Sequence, residues 1–253
     1  MMRDILKNKA ESGNPSIDVW LFMFGLNYAF WHLTVAVLNF EIKNKLMVAE
    51  LFDLLTPFVM TFLIFKLYLL IREPISNSEK RRIQTAGFVL IVLGLLFFVE
   101  GHGMHLSANA IARHLEGREG LPIFSLTYFF DETLGHLFWD GGLVLVSIAL
   151  LILSFAEKRE DPKNLSNPIV VGSFFYGFTY FCNAVEGQTV VFTVPVSIII
   201  PGVVLFLIRS RRIGSKHPIV FFYLLSYGFA LCWFAYWAVR NSGFPQFSEL
   251  GWI

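Results

Sequence analysis

Polar and apolar residues along this chain fall into long blocks; they do not alternate or recur at the spacing of a surface helix. Seven blocks, at about 17–40, 47–71, 83–108, 130–155, 168–186, 189–209 and 218–240, are predominantly apolar. About 20 such residues, rising ~1.5 Å each, cross a hydrocarbon layer of ~30 Å. The pattern predicts an all-α integral membrane protein, a seven-transmembrane helix bundle. Polar or turn-rich connectors separate the blocks: EIKNK, REPISNSEKRR, EGREGLP, EKREDPKNLSNP, EGQT and RSRRIGSKHP. The expected organisation is an N-terminal segment 1–16, a seven-helix domain 17–240 and a tail 241–253.

Basic residues orient this bundle. Arg3, Lys7, Lys9, Arg72, Lys80, Arg81, Arg82, Lys158, Arg159, Lys163, Arg209, Arg211, Arg212 and Lys216 would share one side. Lys43, Lys45, Arg113, Arg118 and Arg240 would share the other, and Lys66, inside the second block, is expected to snorkel toward the richer side. The positive-inside rule then places the N-terminus in the cytoplasm and the C-terminus outside, with the plasma (inner) membrane as the expected location. The opening MMRDILKNKAESGNPS lacks the apolar core of a signal peptide, so insertion is expected to begin with the first spanning helix.

Composition agrees with a multi-pass protein in contact with a lipid bilayer. The chain is 55% hydrophobic and 15% charged, with 28 Phe, whereas soluble domains average about 25% charged residues. A net charge of +1 and the lack of a basic stripe give no sign of a nucleic-acid partner. Cys182 and Cys232 both lie in apolar blocks and read as small hydrophobes, not as a disulfide. Composition carries no signal for oligomeric state.

Unusual residues gather at one side. His102 and His105 end the third block, Asp131, Glu132, His136 and Asp140 begin the fourth, and Asn183 and Glu186 end the fifth. His32 lies in the outer half of the first. Glu132, His136 and Asp140 are spaced i, i+4, i+8 on one helix face, and His105 and Asn109 are spaced i, i+4. A charge at mid-membrane costs ~2.5–3.5 kcal/mol, so such a set is expected to face the bundle interior and to be neutralised by pairing, by protonation or by a cation.

Imidazole with carboxylate suits a divalent transition metal such as zinc. The expected ligands are His105, His136 and Glu132 or Asp140, with Glu100 as general base and His102, Asn109, Asp131, Asn183, Glu186 and His32 around the pocket. The corresponding activity is metal-dependent hydrolysis of a lipid or other hydrophobic small molecule. Seven helices with a His/Asp/Glu site loosely resemble the intramembrane hydrolases that include alkaline ceramidases and adiponectin-receptor-like proteins. That resemblance implies an HxxxH pair in the last span, whereas PIVFFYLLSYGFALCWFAYWAVR contains no histidine.

Other classes read the same residues differently. A transporter or proton relay would use the carboxylates and histidines as a pathway, though the inner half of the blocks is almost purely apolar. His105 and His136 could serve a haem as axial ligands, and a sensor would bind a ligand without reaction. No lysine in the seventh block is available for a retinal Schiff base. Glu50 and Asp53 read as interfacial residues, and Phe244, Phe247 and Trp252 of the tail as members of an aromatic belt, with a lid as the alternative.

Overall fold

The computed structural model describes residues 16–38, 40–43, 46–72, 77–156, 166–210 and 217–252. Among the described residues it is all-helical apart from one small hairpin: α1 (Ile17–Leu33), α2 (Val48–Ile71), α3 (Ser78–His114), α4 (Pro122–Ala156), α5 (Asn167–Glu186), α6 (Val190–Arg209) and α7 (Pro218–Asn241). Ten of the basic residues used for orientation, Arg3, Lys7, Lys9, Lys45, Lys158, Arg159, Lys163, Arg211, Arg212 and Lys216, lie outside the described residues, as do residues 1–15.

Six of these helices, α2 to α7, are long and apolar enough to cross a membrane. The first block departs from expectation. Helix α1 has 17 residues, about 26 Å of rise, and ends at Leu33 instead of continuing to 40. A 3-10 turn over Thr34–Ala36 follows, then an antiparallel hairpin pairing Glu41–Lys43 with Leu46–Met47. The β-branched Thr34 and Val37 favour leaving the helix there.

Two boundaries extend further than the hydropathy blocks. Asn77 caps α3 by accepting a hydrogen bond from the Lys80 amide (2.8 Å), so the helix includes SEKRR and runs for 37 residues, about 56 Å. Pro122 opens α4 eight residues before the apolar block begins. In the connection between them, Gly117 (φ 76°) donates to Glu119 (2.7 Å), and the Glu119 amide, followed by that of Gly117, holds the Glu119 carboxyl below its ordinary range.

Contacts fix the helix directions. Gly25 abuts Gly172 and Tyr28 meets Asn183, while Ser173 Oγ donates to the Phe222 carbonyl (3.0 Å) and Gly177 faces Ser226, so α1, α5 and α7 run parallel. Along α3 and α4 the pairs Gly87–Leu153, Gly94–Gly142 and Gly101–Trp139 run antiparallel. As a result the C-terminal ends of α1, α3, α5 and α7 meet the N-terminal ends of α2, α4 and α6 at one end of the bundle. Near the other end, Lys66 lies 5.9 Å from the Trp20 ring and 5.8 Å from that of Phe62, its ammonium held by aromatic faces.

The α3–α4 seam is a glycine ladder. Gly87, Gly94 and Gly101 recur every seven residues on α3, as do Gly135 and Gly142 on α4. A Cβ at Gly94 would lie 2.7 Å from the Gly142 carbonyl oxygen, and one at Gly142 would lie 2.5 Å from that of Gly94. Small residues are what allow two membrane helices to pack backbone to backbone, and a seven-residue repeat keeps them in register. By contrast, Gly103 and Gly141 face open space. Gly142→Ala is therefore expected to destabilise the detergent-solubilised protein by about 1–3 kcal/mol through overpacking, while Gly141→Ala melts like the wild type. Thermal unfolding of the pair, side by side, checks this.

Candidate functional site

A single indole organises the polar end of the bundle. Trp139, 4% exposed, lies one helical turn beyond His136 on α4. Its ring centroid is 3.9 Å from His102, 4.6 Å from His32, 5.0 Å from His136 and 6.0 Å from His105. The His136 ring stacks on it at 14°, and His105 meets His136 edge-on at 4.8 Å. Three helices thus bring four imidazoles around one aromatic residue.

A local irregularity aims the carboxylates. Residues Phe129–Gly135 form a π-helical stretch inside α4, a feature often found at functional sites. The widened turn points both Asp131 and Glu132 toward the histidines: His105 Nδ1 is 2.7 Å from Asp131 Oδ1, and His136 Nε2 is 3.9 Å from Glu132 Oε2. Gly187, in the α5–α6 turn, makes room for His136, because a Cβ there would occupy the imidazole's position.

The histidine tautomers follow from geometry. His32 Nδ1 is 2.6 Å from the Tyr28 carbonyl oxygen, and His102 Nδ1 is 3.0 Å from that of Phe98. A carbonyl can only accept, so Nδ1 carries the proton in both residues. In the neutral ring Nε2 is then a bare acceptor. His32 Nε2 and His102 Nε2 are buried and have no hydrogen-bond partner among the described residues, nor has either nitrogen of His136.

These groups wall a cavity of about 430 Å³. His32, His105, Asn109, Glu132, His136, Asn183 and Glu186 all line it. His102 stands directly behind, against Trp139 and His32. Asn183 is held by its bond to the Tyr28 hydroxyl (2.9 Å), and Asn109 accepts from Arg113 (3.2 Å).

Two expected site residues are elsewhere. Glu100 is exposed on the opposite flank of α3, in a separate groove with Met104, Ser107 and Thr127, so it does not approach the imidazoles as a general base would. Asp140 is fully buried below the cavity and accepts from Thr189 Oγ1 at 2.5 Å. One turn further along α4 than His136, Asp140 lies ~6 Å deeper along the helix axis, where Thr189 takes it as partner. Asp140, bonded to Thr189, does not join the other expected ligands; His105, His136 and Glu132 share the cavity wall, with His105 paired to Asp131. Among the described residues no group of three or more His, Cys, Asp and Glu is placed to hold a metal ion.

Other participants were not expected. Asp53, read as interfacial, is 7% exposed, lines the cavity and lies 3.7 Å from His102 Nε2. Glu50 is likewise buried, bridged to Arg113 at 3.1 Å. The bundle also contains the buried tyrosines Tyr28, Tyr176, Tyr180, Tyr223 and Tyr227; of these Tyr223 and Tyr227 lie in the half read as apolar, and Tyr227 donates to Ser147 (3.0 Å). Nothing but the scattered YG, YF and SY pairs in the sequence hints at that hydroxyl column.

The tail covers the cavity. Phe247 lines it, and the amides of Phe247 and Ser248 donate to Glu186 Oε2 at 2.8 and 3.3 Å. Gln246 donates to the Glu186 carbonyl and accepts from Gln188 Nε2 (2.8 Å). Gln188 adopts the left-handed conformation (φ 52°) that directs its side chain there. Phe247 also packs on Trp237, and Trp237 Nε1 donates to the Pro245 carbonyl (3.0 Å). Glu249 caps the tail's own turn at the Gln246 amide (3.0 Å) and takes no part in the imidazole cluster. Because bonds to a carboxylate contribute ~1.5–3 kcal/mol, Glu186→Ala is expected to speed hydrogen exchange at the Phe247 and Ser248 amides by about tenfold or more. Exchange in the α3–α4 seam should not change.

Two known proteins are similar in sequence. The canine protein named ceroid-lipofuscinosis neuronal protein 6 homolog is 22% identical over 239 residues, covering 87% of this chain and 74% of its own. Human ceroid-lipofuscinosis neuronal protein 6 is 22% identical over 190 residues, covering 68% of this chain, and the match spans 60% of the human protein's length. No family model matches the chain, and no solved structure matches it.

Proposed function

We propose that this is a seven-span membrane protein, N-terminus in the cytoplasm and C-terminus outside, that binds a hydrophobic small molecule with a polar end in the tail-covered cavity. The observation that carries this reading is a concave space of about 430 Å³ with a mixed wall: Leu33, Phe178, Trp139 and Phe247 supply apolar surface, and His32, His105, Glu132 and Asn183 supply polar contacts. Concave sites of this size with a few convergent polar groups are the usual form of a small-molecule site. The buried acceptors without partners add to it, since each costs ~1–3 kcal/mol unless a ligand or water satisfies it.

Binding without reaction, as in a sensor or carrier, fits this arrangement better than metal-dependent hydrolysis. The hydrolytic reading needs a water activated between converging ligands and a base within ~3 Å. Glu100 faces away, and Asp140 is bonded to Thr189. The similarity to the ceroid-lipofuscinosis proteins is compatible with a multi-pass membrane role and assigns no chemistry.

The span count is supported by the shared direction of α1, α5 and α7 and by Lys66 lying toward the side expected to be cytoplasmic. In a background with Cys182 and Cys232 replaced by Ser, a membrane-impermeant maleimide applied to intact cells should label Ser248→Cys and leave Ser78→Cys untouched. The reverse pattern, or both on one side, would overturn the orientation or the count.

Native mass spectrometry and elemental analysis of protein purified in mild detergent test the cavity. A retained small molecule is expected, falling by about tenfold in His32→Phe and His105→Phe, the equivalent of one lost hydrogen bond. Near-stoichiometric transition metal that disappears in His105→Ala and His136→Ala would instead restore the hydrolase reading.

A further inference from the structure

Resting on the cavity reading above, we propose that the ligand is a single-chain amphiphile whose head donates a hydroxyl hydrogen bond, and that its chain lies in a lateral groove between α2 and α3 open to the lipid. The groove holds about 410 Å³ and is lined by Leu54, Pro57, Phe58, Val99, Gly103 and Leu106, with Asp53 and His102 among its walls. Leu54, Phe58 and Val99 are 49%, 71% and 46% exposed, so its outer rim belongs to the membrane-facing surface. Asp53 lines both this groove and the tail-covered cavity, so the two spaces share one polar wall.

The head-group class follows from what that wall offers. His102 is 2% exposed, its Nδ1–H is spent on the Phe98 carbonyl, and its bare Nε2 faces Asp53 Oδ1 across 3.7 Å. The Nε2 lone pair and the carboxylate therefore face each other, and Nε2 has no donor among the described residues. A hydroxyl supplies that donor, whereas a phosphate or carboxylate head would add negative charge beside Asp53. The apolar rim then fits one hydrocarbon chain entering from the bilayer side.

Gly103 allows a clean test. It lines the groove, as it does the neighbouring one with Glu100, and a Cβ there has no heavy atom within 4 Å, so Gly103→Leu adds bulk at the groove wall without a clash at its first carbon. Gly202 on α6 is equally open and provides the control Gly202→Leu. The probe is a monoacylglycerol with a diazirine in its chain, presented in phosphatidylcholine vesicles containing the reconstituted full chain. Saturable adducts are expected on α2 and α3 around Phe58, Val99 and Leu106. They should fall by about tenfold in Gly103→Leu, as expected for displacing two or so buried methylenes, and stay unchanged in Gly202→Leu. The methyl ester of the same labelled acid and the free acid should compete poorly.

Adducts spread over all lipid-facing helices, or equal in both Leu variants, would overturn the groove. Equal or better competition by the methyl ester or the acid would overturn the hydroxyl assignment. Saturable adducts confined to Phe178, Cys182 or Phe247 would refute the lateral groove and leave the cavity reading standing; no saturable adduct for any probe, with no ligand retained on purification, would sink both.

Discussion

The backbone contact between Gly94 and Gly142 is the constraint on which the rest of this structure depends. It draws α3 and α4 together closely enough for Gly101 to accommodate the Trp139 backbone, and that approach seats the indole between imidazoles from both helices. Without it, His102 and His105 on one helix and Asp131, Glu132 and His136 on the other would be separated by ordinary side-chain packing. Polar groups in a hydrocarbon setting are tolerated only when they face one another. The seam allows them to do so.

The π-helical stretch and the α5–α6 turn perform complementary tasks around that seam. The first rotates Asp131 and Glu132 into the cluster, and the second, through Gly187, opens a place for His136. Glu186, beside Gly187, then anchors the tail by two backbone amides. Helix packing, cavity shape and closure are thus set by neighbouring residues, and a change in one will be felt in the others. The unpartnered nitrogens of His32, His102 and His136 are the part of this arrangement that internal contacts leave unfinished.

Much of the architecture was legible in hydropathy. Six of the seven blocks correspond to helices long enough to span, and the polar residues at the expected outer ends do converge, because burial cost acts on whole segments and shows in composition. The errors came from effects that averaging removes. The first block's apolar run to residue 40 hid a helix stop at Leu33, since apolar residues also fill turns and hairpins at a membrane edge. Ideal i, i+4 stepping put Asp140 with His136, and its greater depth with a Thr189 partner takes it out of the cavity. Asp53 and Phe247 looked interfacial because nothing local distinguishes a carboxylate or ring at the lipid boundary from one folded over a cavity. The seven-residue glycine repeat was readable in the sequence and is the signal that would have identified the α3–α4 pair.

The cavity's walls are far apart along the chain, and this has a consequence for how the protein is made. His32 belongs to α1 and Phe247 follows α7, with contributions from several of the helices between. The α3–α4 seam is a local pairing that can form as soon as two neighbouring helices are inserted. The site is not: its closure waits for contacts of large sequence separation, which are slow to form. During synthesis the membrane would hold a half-built bundle with bare imidazoles and carboxylates at its edge. Quality-control machinery that recognises unsatisfied polar groups within a membrane would meet this protein at that stage, before the segment carrying Gln246, Phe247 and Ser248 arrives to cover them.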